Sequence, residues 1–70
     1  MYRLYNIREN HLGGVIRLSD NAAIPFDMNN IDFSRFINKL KKNEVELYNP
    51  DNEKMTESEV TSFLDSYNFN

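Results

Sequence analysis

The chain has no cysteine, a single histidine, two glycines and two prolines in 70 residues. Without cysteine, neither disulfides nor thiolate metal sites can staple the fold. With one histidine as well, most nucleophile and base machinery is missing. No apolar run approaches the ~18 residues of a membrane span, and no signal-peptide pattern opens the sequence. These absences point to an intracellular protein, or to one carried in a particle assembled inside a cell, with no cofactor, no metal and no membrane partner.

What is present is aromatic. Tyr2, Tyr5, Phe26, Phe33, Phe36, Tyr48, Phe63, Tyr67 and Phe69 supply large side chains that can build a core from few positions. A chain this short makes one domain, 1–70, and buries only ~60% of the surface its unfolded form exposes. Stability must then come from packing, from well-made helix ends, or from a partner that covers an apolar face.

The net charge of −3 hides a division. Arg3, Arg8 and Arg17 balance Glu9, Asp20 and Asp27 in residues 1–30. Residues 31–43 are basic, with Arg35, Lys39, Lys41 and Lys42 against Asp32. Residues 44–70 are acidic, with Glu44, Glu46, Asp51, Glu53, Glu57, Glu59 and Asp65 against Lys54. A basic middle before an acidic end suggests internal pairing first, head-to-tail self-association second, and nucleic acid last.

Tyr2–Ile7 alternates, with Tyr2, Leu4 and Asn6 on one face and Arg3, Tyr5 and Ile7 on the other. Asn10, Gly13 and Gly14 are turn residues for a loose loop, and 15–18 returns as a second strand, so 2–18 reads as a β-hairpin. Residues 23–25 form a short edge strand, because Pro25 has no N–H to donate. Asn29 or Asn30 caps a helix over about 30–42, with Asp32 in its first turn. Phe33, Phe36, Ile37 and Leu40 make its apolar stripe. Asn43 is placed to end it in the left-handed conformation. Residues 44–48 alternate as a strand, and 49–52 form a turn. Thr56 and Glu59 spell a capping box, with Met55 and Val60 as its hydrophobic staple. A helix over 57–67 follows, striped by Val60, Phe63, Leu64 and Tyr67, and 68–70 reads as frayed. The order β-β-(β)-α-β-α predicts an α+β domain: a small antiparallel sheet of three to four strands, one face covered by two helices.

Chemistry is sparse. His11, Ser19 and Asp20 are the residue types of a hydrolase triad, but nothing orders them, and Ser19 and Asp20 read as turn residues. The oxygen-rich 49–59 stretch fails the calcium-loop register, which needs alternating ligands and a central Gly. Gly13-Gly14 lacks the strand–loop–helix context of a phosphate site. Arg35, Lys39 and Lys42 line one flank of the first helix; a solvated face explains them better than phosphate contact, whose affinity grows with the number of cations. The acidic final third permits a second role, a DNA-mimic-like inhibitor of a host nucleic-acid enzyme.

Residues 13–40, GGVIRLSDNAAIPFDMNNIDFSRFINKL, resemble a group of short proteins of tailed bacteriophages and prophages, often encoded beside tail or tail-fibre genes. Ile24-Pro25, Asp27, Asn30, Asp32, Phe33, Phe36 and Ile37 match their pattern. Lys39 stands where a Trp is usual, and Asn43-Glu44 where Gly-Asn is common. The resemblance covers about half the chain and implies a non-enzymatic accessory of the virion or its assembly, most often at the tail. It would act on a phage or host protein, or on a second copy of itself, in the host cytoplasm or in the virion. The expected contact surface is the edge at Ile24, Phe26 and Asp27 with the helix flank of Arg35, Lys39 and Lys42.

Overall fold

A computed structural model describes residues 1–9 and 11–69, so the turn role expected of Asn10 and the fraying expected of Asn70 lie outside the described residues. Six elements follow in chain order: β1 (Tyr2–Arg8), β2 (His11–Arg17), β3 (Ala22–Pro25), α1 (Ile31–Lys41), β4 (Leu47–Tyr48) and α2 (Glu57–Tyr67). The class is α+β, with a four-stranded sheet and two helices.

The sheet runs β3-β2-β1-β4, and it is mixed rather than antiparallel throughout. β1–β2 and β2–β3 are antiparallel, whereas β4 lies parallel to β1. The reason is topological. α1 carries the chain from one edge of the sheet to the other, and a helical crossover returns the next strand in the same direction. β4 is also shorter than the 44–48 reading. The Glu44 N–H is taken by the Lys39 carbonyl at 2.9 Å as the helix closes, so pairing starts only where Tyr2 N–H donates to the Glu46 carbonyl at 3.0 Å.

Gly13 and Gly14 correct a second expectation. Both lie inside β2, and neither has positive φ. Tyr5 opposes Gly14, Asn6 opposes Leu12 and Arg8 opposes His11, so Gly13 and Ile7 have no residue directly opposite and the ladder bulges there. A Cβ on Gly13 would run into the Ile7 side chain. One on Gly14 would meet the Ile24 carbonyl and, at 2.9 Å, the Tyr5 hydroxyl. The glycines let the Tyr5 ring lie down against the strand.

The left-handed positions are filled by asparagine instead: Asn21, Asn43, Asn52 and Asn68 have φ of 59°, 56°, 66° and 60°. Two of them end the helices in the same way. Asn43 N–H donates to the Leu40 carbonyl and Glu44 N–H to that of Lys39. Asn68 N–H donates to Asp65 and Phe69 N–H to Leu64. Each pair is a Schellman closure. The N-termini are equally well made. Asn30 accepts from Phe33 N–H at 3.1 Å, and Thr56 and Glu59 complete the reciprocal capping box at 3.2 and 2.9 Å.

Leu4, Val15 and Ile24 stand side by side on three strands and are buried with Leu47 beneath both helices. Phe33, Phe36, Ile37 and Leu40 of α1 and Phe63 and Leu64 of α2 close over them. The stretch read as frayed is instead part of this packing: Phe69 sits 5.1 Å from Phe33 and 5.9 Å from Phe63, centre to centre. Its position after a left-handed Asn68 turns it back onto the core.

Candidate functional site

The helices cover one side of the sheet, and the other side is open. The pairs Arg3–Ile16–Ala23 and Tyr5–Gly14–Pro25 cross three strands, and Tyr48 pairs with Arg3 from the fourth. Paired residues project to the same side. This row alternates with the buried Leu4–Val15–Ile24 row, so it faces away from the core. Ile7, on the same alternation, is 66% exposed. The open side of such a sheet is ordinarily polar. Here it carries two tyrosines, two isoleucines, an alanine and a proline around Arg3, with Lys54 joining at one edge through its bridge to Tyr48. At the rim the Glu46 carboxylate accepts from the Tyr48 hydroxyl at 3.3 Å.

The contact surface expected from the sequence is rearranged. Ile24 is 3% exposed and belongs to the core, so it cannot meet a partner. Phe26 is half-buried, with its ring 5.2–5.8 Å from those of Phe33, Phe63, Tyr67 and Phe69. It bridges the two helices rather than presenting an edge. Asp27 is exposed but shapes the approach to α1, its carboxylate accepting from Asn29 N–H at 2.9 Å and its carbonyl from Asn30 N–H. Arg35, Lys39 and Lys42 are exposed on the outer face of α1. Internal pairing, expected first from the charge division, is not seen for Arg35, Lys39 or Lys42 in the ion pairs among the described residues. The ion pairs among the described residues are Arg17–Asp20, Arg17–Asp32 and Lys54–Glu46.

The triad residue types are not assembled. His11 opens β2 and holds the Glu9 carbonyl at 2.9 Å, while Ser19 and Asp20 lie beyond the other end of that strand, roughly 20 Å along it. Asp20 is engaged by Arg17 at 2.9 and 3.0 Å and by Ala22 N–H at 3.2 Å. Those bonds, the arginine's first, hold its carboxyl below the usual aspartate range; in return Asp20 raises the Arg17 pKa. In the 49–53 turn, Asn49 Oδ1 accepts from the Asp51 and Glu53 amides, which satisfies the backbone without an ion. No group of three or more metal-ligating side chains gathers among the described residues. Of the carboxylates that would form a phosphate-like row, Glu59 is held by the capping box and Glu46 faces Lys54 at 3.6 Å.

One pocket of about 220 Å³ lies between the end of α1, β4 and the start of α2. Its floor is apolar, made by Leu40, Val45, Leu47, Met55 and Val60. Sequence reading foresaw neither this hollow nor the open sheet face. The alternation of Arg3, Tyr5 and Ile7 was the available signal, because Tyr5 and Ile7 on a solvent side leave it more apolar than usual.

Compared with models of known protein families, with curated proteins and with solved structures, the chain matches none. What fold and surface define is a class: a two-layer α+β domain whose sheet is covered on one side only.

Proposed function

We propose that this chain is a non-enzymatic accessory protein of a tailed bacteriophage that acts by binding another protein, in the virion tail or during its assembly. The observation that carries the binding role is the uncovered sheet face. An apolar surface rimmed by polar residues on a small domain marks a contact site. The phage-like 13–40 segment supports the setting. The reading places the contact on Tyr5, Ile7, Ile16 and Tyr48 rather than on the Ile24–Asp27 edge.

The test is co-purification. A tagged chain expressed during infection should band with gradient-purified particles or tails. A variant carrying Ile7→Lys and Ala23→Lys, both at exposed positions, should be lost from that band while melting like the parent. Wild-type protein recovered free of every phage structural protein would refute the proposal.

A further inference from the structure

We propose that a second copy of this chain seats the Ile31 end of its α1 in the pocket beside β4, so that copies join head to tail. The pocket's size comes first. At about 220 Å³ it falls below the ~300 Å³ at which small-molecule sites begin, and it suits one aliphatic side chain. Its rim carries Glu46, Glu57 and one cation, Lys54, which faces Glu46 at 3.6 Å; the flanking chain adds Glu44 and Glu53, so carboxylates outnumber cations around it. The occupant that fits is therefore an apolar side chain accompanied by cations.

The outer face of α1 presents that combination. Ile31 is 67% exposed at the first position of the helix. Arg35, Lys39 and Lys42 follow it at i+4, i+8 and i+11, one stripe about 16 Å long. No ion pair among the described residues uses any of the three. A second copy can bring this cationic stripe against the acidic surround of the pocket.

Geometry fixes the mode. Leu40 and Asn43 line the pocket at the far end of α1 from Ile31, so knob and hollow cannot meet in the same chain. Two unlike surfaces join heterologously, which builds rings or filaments rather than a closed pair. The pocket and the open sheet face share Glu46 and Lys54 at their rims but present different apolar surfaces, and neither proposal depends on the other.

Sedimentation velocity of the full chain tests it. Species larger than a dimer should grow with concentration at low salt and recede at about 0.5 M salt, where exposed charges are screened. Ile31→Asp, which suits a helix N-terminus, should weaken association about thirtyfold, the scale of a lost anchor residue. Glu57→Lys should weaken it too. Thermal melts establish that both variants fold. Mixed one to one, the two variants should recover association but stop at a dimer, since each retains only one working surface. A wild-type chain that stays monomeric at millimolar concentration overturns the proposal. So does association unchanged in either folded variant, or a mixture that fails to recover.

Discussion

The two helices have the same length and nearly the same ends, yet they are held differently. Each spans eleven residues, starts on a side-chain cap and closes on a left-handed asparagine. α1 buries four residues directly over the sheet, whereas α2 buries two. The deficit is met by rings outside either helix. Phe26, between β3 and α1, and Phe69, beyond α2, each lie within 6 Å of rings on both helices. Equal local signals therefore do not mean equal anchorage. Caps decide where a helix starts and stops, and burial decides how firmly it is held.

The sharpest way to break this comparison is Phe36→Ala. Phe36 is fully buried, with the Tyr2 ring 4.6 Å from its own, and its loss leaves a cavity under the helix that spans the sheet. The cost should be about 3–5 kcal/mol, a large share of what a domain this small possesses. Urea denaturation should show the protein largely unfolded. A midpoint near that of the parent would mean that α1 is not the foundation.

Phe69→Ala sharpens the contrast from the other side. Phe69 is half-buried, so truncation should cost about 2 kcal/mol, with its ring contacts adding to the area lost. The distribution of the effect matters more than its size. Amide exchange should quicken across α2 while β1, β2 and α1 stay protected, because α2 can lift without opening the sheet. Uniform loss of protection would show the two helices to be one cooperative unit.

What was legible in the sequence divides along the same line. Caps, staple, stripes and the Pro-ended β3 are local, and each could be read from residues at most seven apart. The direction of β4 could not, because it depends on which edge of the sheet α1 reaches. Gly13 and Gly14 carried a turn signal by composition, but the close approach of Tyr5 and Ile7, six to nine residues away, decided their conformation. Phe69 looked like a loose end, although Asn68 carries the same left-handed signal as Asn43, because Phe33, the ring it meets at 5.1 Å, lies 36 residues away in sequence. Of the candidate site, the cationic flank was legible from helical spacing. Ile24 and Phe26 were not, since an edge strand beside a proline reads as accessible until the helices above it are in place.

The smallest expected effect falls on the α1 side, at the turn between β2 and β3. Arg17 reaches Asp20 at 2.9 Å and touches Asp32, in the first turn of α1, at 4.0 Å. In the unfolded chain Asp20 should titrate near the ordinary ~3.9. In the fold its carboxyl sits lower, held first by the Arg17 hydrogen bonds and then by that from Ala22 N–H. A depressed folded value means the pairing stabilises fully above the unfolded pKa and is lost as pH falls through the folded one. Stability measured from pH 5 down to pH 2 should therefore decline less steeply in Asp20→Asn, whose amide oxygen can still accept from Ala22 N–H but no longer titrates. The difference should shrink with added salt, because the pair is solvent-exposed. Equal slopes in variant and parent would show that this turn contributes nothing to acid sensitivity, and that the anchorage of α1 is apolar throughout.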